Sequence, residues 1–522
     1  SEESSTELIK QPETRPISQE QLVAEVKGIY AGLVMVENKC IEVDAQNTQN
    51  DPNNTKLNNE QWQALIALHR TLLHEHHDFF LASQHPSASP ALRKLASKYA
   101  MPARMWRHGI HSFLELLRHR LPASLEHMLT FIYLAYSMMA LLYETVPAFK
   151  ETWIECLGDL GRYRMAIEDQ NPREREVWRA VSCGWYSKAS DNAPGTGRLY
   201  HHLAILARPN ALQQLFYYSK SLCVTIPFVA ARDSIMTLFD PLTLHSFSEL
   251  SGLIKTGKSF VTIHALMFKK QHVMLDEWVD KFLNSLDAYI GSYQYQFLEQ
   301  GHWIGISNCN AIIGYGGDGN PIYDLIKQST GGQLQPLPEN TVDESLAVPL
   351  EFSNKTHRVI FSRSGDPNIL AYVHTVLAFL YHSTFYDGAI ETLAPEFPWE
   401  LLSLLLNTIL NEARICKCGV DGSCQSYTRI ESEDFPHPKD DSPWPLPEDY
   451  SMRGLVWVAN YYPKTWFDNE KIDDDEKGLE ATSMGKERKV RVLYLGCRIA
   501  RRNRWLRYDY KKHQFSVNPQ FE

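Results

Sequence analysis

The chain has 522 residues, 44% hydrophobic and 22% charged, a composition that is ordinary for a folded globular protein. This length is enough for two or more hydrophobic cores. The net charge of −10 excludes nucleic-acid binding by overall charge, so any such surface must be local. Nine cysteines, an odd number spread along a long chain, favour reduced thiols and a cytoplasmic or nuclear location.

The first part of the chain reads as a disordered end followed by amphipathic helices. Residues 1–18 are polar and acidic, which predicts disorder and no signal peptide. Apolar residues over 22–40 recur at steps of three and four, as on one helix face. Residues 46–59 should form a loop that ends at a cap, Asn59. The apolar run 128–143 is shorter than the ~20 residues that span a bilayer, so we expect a buried bundle helix and no membrane partner.

Two groups of potential metal ligands stand out. The predicted helix 62–80 carries a cluster of histidines, and His74 and Asp78 share a face at a spacing from which metal could be bound. There is no HExxH spacing and no cysteine nearby, so the alternative is a polar helix face. The cysteines within 416–424 lack a fourth zinc ligand. We expect no metal and no cofactor.

The segment Gly158–Arg164, Gly-Asp-Leu-Gly-Arg-Tyr-Arg, closes an otherwise apolar helix. A guanidinium fixed on the inner side of such a helix suits the capture of an anion, above all a phosphate. The alternative is an internal salt bridge between Arg162 and Asp159 or Glu155.

A repeat follows this motif. Tyr186–Ala189, Tyr-Ser-Lys-Ala, is echoed by Tyr218–Ser221, Tyr-Ser-Lys-Ser. The period of about 32 residues over 172–227 predicts a pair of tetratricopeptide-like hairpins. Repeats of this kind stack into a right-handed array whose concave face binds peptides, the alternative being a scaffold without a ligand.

These motifs together resemble a known family. Gly-Asp-x-x-Arg-Tyr looks like the phosphate-binding helix of 14-3-3 proteins. The run through Tyr200–Leu206 and Ile226–Phe228, with the later Pro445–Asp449, Pro-Leu-Pro-Glu-Asp, resembles a narrower family. Its members are the SMG adaptors of nonsense-mediated mRNA decay and the Ever Shorter Telomeres subunit of telomerase. The chain is similar to this family over about residues 20–250 and 367–510, and within it to a fungal SMG-seven-like member.

The resemblance implies an all-α fold. It predicts a 14-3-3-like/tetratricopeptide right-handed helical array over residues 19–230, followed by an α-helical hairpin domain over 231–522. In the second domain we expect a long loop at about 308–365 and a basic C-terminal helix. Gly314–Gly319 matches GxGxxG, but helices surround it and Asn-Pro follows, so we interpret it as a loop rather than a dinucleotide site.

The resemblance also implies the phosphate-binding residues. Arg162 and Tyr163 would hold the phosphate from one helix, and His69 or Arg70 from the facing helix. His69 stands where the family usually has lysine, which predicts weaker binding, or binding that depends on pH near the imidazole pKa of ~6.5. The implied partner is a phosphoserine- or phosphothreonine-containing protein such as a UPF-one-like RNA helicase.

Residues 486–512 carry eleven basic and two acidic residues, with aromatic residues interleaved. This pattern is typical of a basic helix that contacts a phosphodiester backbone, while the alternative is a cationic helix packed on the acidic body of the domain. The candidate nucleic-acid-binding residues are Arg498, Arg501, Arg502, Arg504 and Arg507.

Two functions remain open at this point. The first is a non-catalytic adaptor, cytoplasmic and nuclear, that binds a phosphorylated protein through a 14-3-3-like groove in nonsense-mediated mRNA decay. The second is an Est-type subunit that binds RNA or single-stranded DNA in telomere maintenance. We expect no enzyme, because the sequence contains no nucleophile elbow, Walker loop or paired-acid motif, and the PIN-type nuclease domain of some relatives has no room after Tyr510.

Overall fold

The computed structural model describes residues 17–49, 57–244, 252–328, 344–415, 425–437, 444–468, 477–481 and 483–521. The chain divides into two compact units, Ser1–Ala189 and Ser190–Glu522. This division falls before the predicted boundary at residues 230 and 231, and the assignment of functional domains stays a prediction. Nearly all of the predicted disordered N-terminus and the cysteines within 416–424 lie outside the described residues.

The described part of the first unit is α-helical, and the last turn of its final helix extends into the second unit. A π-helical segment, Met105–His111, joins the fourth helix to the fifth. The α-helices are α1 Gln19–Gln49, α2 Asn59–Ser83, α3 Pro90–Lys98, α4 Met101–Arg104, α5 Ser112–Arg118, α6 Leu125–Thr145, α7 Lys150–Ala166 and α8 Pro172–Asn192.

Helix α2 begins at a capping box. The Asn58 side chain accepts a hydrogen bond from the Gln61 amide at 2.8 Å, and the Gln61 side chain accepts one from the Asn58 amide at 2.9 Å. The cap therefore lies one residue before the predicted Asn59. Two backbone donors that a helix start leaves unpaired are satisfied in this way.

Helix α6 contains the apolar run of the sequence. With 21 residues it is long and apolar enough to cross a membrane by length and composition. Seven of its side chains, among them Phe131 and Leu142, are buried in the core of the first unit with side chains of α2 and α7. Its exposed face carries polar residues such as Thr130 and Ser137. This packing agrees with the predicted buried bundle helix.

The described part of the second unit is also built from helices, together with a two-stranded antiparallel hairpin. Its α-helices are α9 Gly197–Leu206, α10 Ala211–Cys223, α11 Ala231–Ser234, α12 Met236–Leu244, α13 Gly252–Phe268, α14 Leu275–Tyr293, α15 Phe297–Ile312, α16 Pro321–Gln328, α17 Glu344–Phe361, α18 Leu370–Ser383, α19 Asp387–Leu393, α20 Trp399–Ile415, α21 Gln425–Glu431, α22 Pro447–Met452 and α23 Met484–Arg502. The strands are β1 Leu506–Asp509 and β2 Gln514–Val517.

The helical hairpins repeat a contact between small residues. In the first unit the Ser182 hydroxyl donates to the Gly158 carbonyl at 2.7 Å, and in the second the Ser221 hydroxyl donates to the Gly197 carbonyl at 2.8 Å. Both pairs are separated by 24 residues. The equivalent positions thus recur at a longer interval than the period of about 32 residues that the Tyr-Ser-Lys echo predicts.

The long loop predicted at about residues 308–365 is wrong in its described part. Helix α15 continues to Ile312, and α16 and α17 fill much of the remainder. Residues 308–312 are buried, so the glycines that follow mark a turn rather than the start of a long loop.

That turn contains the GxGxxG match. Gly314 and Gly316 have φ of +64° and +67°, and a Cβ at Gly316 would lie 2.2 Å from the Leu222 carbonyl oxygen. The carbonyls of Gly314 and Tyr315 accept hydrogen bonds from the Arg232 guanidinium. Glycine is therefore required here for a close helix contact, not for a phosphate.

The basic C-terminal helix is shorter than predicted. It ends at Arg502, because the Asn503 side chain accepts hydrogen bonds from the amides of Trp505 and Leu506, at 2.8 and 2.9 Å. The next residues alternate between buried and exposed positions, which is the pattern of a strand. Arg504 and Arg507 consequently lie on or next to the hairpin and not on a helix.

Candidate functional site

Arg162 lies on α7 with about 30% of its side chain exposed. Its Nη2 donates to Asp159 Oδ1 at 3.0 Å, so the ion pair foreseen as the alternative to an anion site is present. Burial disfavours the charge, but Tyr186 and Asp159 outweigh it and hold the pKa of Arg162 above its ordinary value. This bond uses one of the five guanidinium N–H donors, and partial exposure leaves the cation accessible to solvent.

Glycines of the motif allow α8 to approach α7 at this point. A Cβ at Gly158 would lie 2.9 Å from the Tyr186 ring, and one at Gly161 would lie 3.2 Å from Ser182 Cβ. The Tyr186 ring is fully buried against this surface, and its hydroxyl donates to Asp159. The two glycines therefore set the place of the carboxylate that holds Arg162.

Tyr163 faces a carboxylate on α5. Its hydroxyl donates to Glu115 Oε1 at 2.8 Å, and burial together with this bond raises the pKa of Tyr163. Glu115 also accepts two close hydrogen bonds from Arg118, a residue that is 52% exposed. The His111 ring lies 6.5 Å from that of Tyr163. The sequence interpretation missed this α5 face, although residues 111, 115 and 118 have the spacing of one helix side.

His69 is not available to bind a phosphate, and this prediction is wrong. The ring is fully buried, Nδ1 lies 3.0 Å from the Gly109 carbonyl oxygen, and Nε2 lies 3.2 Å from Asp44 Oδ1. The ring also stacks on Phe113 with centroids 4.4 Å apart. Both nitrogens are therefore committed to internal contacts. Arg70, the next residue, is exposed and remains a candidate.

The predicted nucleic-acid-binding arginines differ in their surroundings. Arg498 is half-buried and donates to the Tyr381 hydroxyl at 3.4 Å. The other four are exposed. Arg501 donates hydrogen bonds to the Tyr510 hydroxyl and the Glu431 carbonyl, and Arg504 forms an ion pair with Glu391. The guanidinium carbon of Arg502 lies 4.0 Å from the centroid of the Phe385 ring, and Arg507 has no hydrogen-bond or ion-pair partner among the described residues.

Arg488 and Arg491, in the first half of the same basic segment, are buried. They pair with Glu448 and Asp449 of the Pro-Leu-Pro-Glu-Asp segment, and both carboxylates are fully buried. The alternative interpretation, cations packed on acidic residues, therefore holds for these two. The Pro-Leu-Pro-Glu-Asp segment has a structural role that its sequence does not reveal.

Among the described ranges, no three or more His, Cys, Asp and Glu side chains are arranged to hold a metal ion. His74 is exposed, and Asp78 Oδ1 lies 3.3 Å from His77 Nδ1. His74 and Asp78 both lie on the exposed side of α2.

The comparisons with known proteins agree with this all-helical fold. The family model described as the Est1 DNA/RNA binding domain matches residues 182–297. A solved structure described as Est1 and Cdc13 matches with a TM-score of 0.51 at 12% identity, covering 96% of this chain and 99% of that chain. At this level of identity the structural likeness shows the fold alone, an all-α helical array.

Two curated relatives match shorter segments. The telomerase-binding protein EST1A of Danio rerio is 38% identical over 87 residues, 16% of this chain and 5% of that protein. The nonsense-mediated mRNA decay factor SMG7 of Arabidopsis thaliana is 35% identical over 86 residues, 16% of this chain and 8% of that protein. The matched segments thus span less than a tenth of either relative.

The fold similarity to Est1 thus covers nearly the whole chain, and the family model matches residues 182–297, most of which belong to the second unit. These comparisons support the chain's similarity to the SMG and Ever Shorter Telomeres family. Its predicted fungal, SMG-seven-like origin stays a prediction.

Proposed function

We propose that the chain is a non-catalytic adaptor of nonsense-mediated mRNA decay that binds a phosphorylated protein through the surface around Arg162. Similarity to this family supports an adaptor role in decay or with telomerase. The observation that carries the phosphate site is the partly exposed Arg162, held by its own helix and with donors to spare. Five of the six described free cysteines are buried, in keeping with work in the cytoplasm and nucleus.

A second exposed cation, Arg118, is linked by hydrogen bonds to Tyr163 of the motif. The link runs through Glu115 on α5, which accepts hydrogen bonds from both. A phosphate near Arg162 could therefore also draw on Arg118 and the Tyr163 hydroxyl. Charge-assisted hydrogen bonds of this kind are the strong ones, particularly to planar guanidinium groups. The revised set is Arg162, Tyr163 and Arg118, with exposed Arg70 as a further candidate.

The acidic residues in the site favour a phosphate over weaker anions. Asp159 and Glu115 each neutralise part of the positive charge, so an incoming ligand must compete with a carboxylate already in place. A phosphate ester with close to two negative charges and three acceptor oxygens competes better than a single carboxylate. We therefore expect phosphoserine and phosphothreonine to bind and their aspartate mimics to bind poorly.

Fluorescence anisotropy with a degenerate peptide pool that has phosphoserine at its centre tests this proposal. Arg162→Glu should weaken binding by at least about 10-fold, since it replaces the main cation by a like charge. Arg179→Glu is the matched control, because Arg179 also pairs with a carboxylate three residues away on the same face, Glu176. Circular dichroism should show unchanged helix content. Equal binding by the parent and Arg162→Glu would reject the site.

A phosphorylated RNA helicase of the UPF-one type is the partner that we propose in decay. Capture from lysate by the full chain should fall after phosphatase treatment and with Arg162→Glu, but not with Arg179→Glu. Capture that survives both treatments would show that the helicase, if bound, does not bind through this phosphate site.

A second candidate function is RNA or single-stranded DNA binding. The match of residues 182–297 to the Est1 DNA/RNA binding domain favours it. The exposed arginines at the C-terminal end, above all Arg502 and Arg507, offer a local cationic surface on a chain of net negative charge.

A further inference from the structure

Asp159 accepts two hydrogen bonds on the same carboxylate oxygen. Oδ1 receives Arg162 Nη2 at 3.0 Å, and it also receives the hydroxyl of Tyr186 from α8. Tyr186 is fully buried, whereas the Asp159 and Arg162 side chains are 22% and 30% exposed. The carboxylate is thus fastened to the core on one side and to a partly exposed cation on the other.

The motif glycine explains how this contact is built. Tyr186 reaches Asp159 only because Gly158 has no side chain, since a Cβ there would lie within 3.1 Å of three atoms of the tyrosine ring. The Ser182 hydroxyl donates to the Gly158 carbonyl at 2.7 Å and fixes the two helices at the same level. The Gly-Asp pair and the tyrosine one helix later therefore form one structural unit.

We propose that Asp159 and Tyr186 are positioning residues that hold the Arg162 guanidinium in the orientation in which it binds the phosphate. This inference rests on the proposed phosphopeptide site. A free arginine side chain loses rotamer entropy when it is fixed, and a guanidinium oriented beforehand avoids much of that loss on binding. The carboxylate cannot swing away easily, because Tyr186 holds it from the core.

The competing explanation is that Asp159 is an internal competitor that occupies Arg162 until a phosphate displaces it. The two explanations predict opposite effects of removing the carboxylate. If Asp159 positions Arg162, Asp159→Ala weakens phosphopeptide binding. If Asp159 only competes, the same change frees a cation, removes a negative charge and strengthens binding.

The experiment uses the full chain and the same phosphoserine peptide pool. We expect Asp159→Ala to weaken binding about 5- to 10-fold, as for the loss of one hydrogen bond to a charged group. Asp159→Asn, which keeps an acceptor oxygen for both donors, should recover part of this loss. Tyr186→Phe keeps the ring against Gly158 and removes the hydroxyl alone, so it should weaken binding about 3-fold.

An NMR measurement separates positioning from a general structural effect. The Arg162 Nε–Hε signal, assigned through Arg162→Lys, should show slower side-chain motion in the parent than in Tyr186→Phe, in the absence of any peptide. Glu176→Gln, which removes the partner of Arg179, is the control and should leave both binding and this signal unchanged.

The outcomes distinguish failure of the proposed phosphate site from failure of the positioning role. Binding that is unaffected by Arg162→Glu would reject the phosphate site itself, whatever the other variants do. Binding that depends on Arg162 but rises or stays constant in Asp159→Ala would overturn the positioning role alone. If Asp159→Ala does not fold, unchanged binding and unchanged Arg162 motion in Tyr186→Phe would overturn it equally.

Discussion

Glu448 and Arg488 form a bidentate ion pair in the interior of the second unit. Arg488 Nε lies 2.7 Å from Oε1 and Nη2 lies 2.9 Å from Oε2, with side-chain exposures of 2% and 0%. His374 Nδ1 lies 3.0 Å from Oε1, and Glu480 binds the other side of the guanidinium. Burial raises the pKa of Glu448, but Arg488 outweighs it and holds that pKa well below its ordinary value. The Pro-Leu-Pro-Glu segment is thereby anchored to α23 and α18.

Breaking this pair should be costly. Glu448→Gln removes the fully buried one of the two carboxylates that pair with Arg488, and we expect a loss of about 3 kcal/mol in the free energy of unfolding. Urea denaturation at neutral pH would measure it. The control is Glu412→Gln, which breaks the pair with Lys489 on the same helix, where the side chains are 38% and 35% exposed. There the loss should stay below about 1 kcal/mol. Equal losses in both variants would contradict the anchoring role.

Helix periodicity and local motifs carried the sequence predictions that the structure supports. The apolar face at residues 22–40 and the run in α6 specify helices, because burial of one side recurs with the helical period. The Gly158–Arg164 motif predicts, as one alternative, the ion pair between Arg162 and Asp159 that the structure shows, but it does not predict the contact with Tyr186, 27 residues from Asp159. The arrangement of the helices into an array is predicted from the family resemblance, because composition and periodicity alone do not specify how helices are arranged.

Contacts between residues far apart in the sequence explain why some of the sequence predictions are wrong. The local sequence around His69 does not distinguish it from an exposed helix histidine. Its burial depends on packing against distant parts of the chain, including its contacts with Asp44 and Gly109, 25 and 40 residues away. Arg488 and Arg502 belong to one basic run, yet one is buried on Glu448 and the other is exposed. A local pattern cannot tell them apart, because burial is decided by what packs against each position.

A buried histidine in the first unit should make stability depend on pH. His76 is fully buried, neither ring nitrogen has a hydrogen-bond partner among the described residues, and burial lowers its pKa from 6.5 to about 3, with Arg104 and His108 adding to the effect. The unfolded chain binds a proton at its ordinary pKa while the folded chain does not. The stability is therefore present above pH ~6.5 and is lost as pH falls toward about 3, by at most ~1.4 kcal/mol per pH unit.

His76→Leu should remove this contribution to acid sensitivity. Its free energy of unfolding, compared with the parent, should rise steadily as pH is lowered from 7 to 5 in urea titrations. The same substitution at exposed His74, on the same helix, should leave the pH dependence as it is. A constant difference between His76→Leu and the parent across this range would contradict the burial of a neutral imidazole.

Buried Lys220 should make the stability of the protein depend on pH in the alkaline range. Its side chain is 2% exposed, its Nζ lies 4.1 Å from the Tyr200 ring centroid and donates to the Tyr450 carbonyl at 3.3 Å. Burial lowers the pKa of Lys220 from 10.5 to about 7. The unfolded chain binds the proton more tightly, so the stability from this group increases from pH ~7 toward ~10.5, by at most ~1.4 kcal/mol per pH unit.

Lys220→Met should abolish that increase. Met fills a similar volume without an ammonium group, so it should be more stable than the parent at pH 7, and its advantage should shrink as pH rises to 9.5. Denaturant unfolding across this range measures the difference. Lys94→Met, at an exposed position of α3, is the control and should be no more stable than the parent at pH 7. An advantage of Lys220→Met that persists at pH 9.5 would contradict a neutralised buried amine.

The exposed arginines at the C-terminal end give the test of nucleic-acid binding. Replacing Arg502 and Arg507 by Glu should weaken binding of a single-stranded RNA or DNA probe and reduce the slope of log affinity against log salt by about 1.4, if each arginine contacts one phosphate. The matched control reverses Lys281 and Lys355, which are paired with Glu277 and Glu351 and carry the same total charge change. A slope that falls equally in both double variants would reflect net charge alone. A slope that changes in neither would exclude the C-terminal arginines as the nucleic-acid interface, because counterion release follows the phosphates that a surface neutralises.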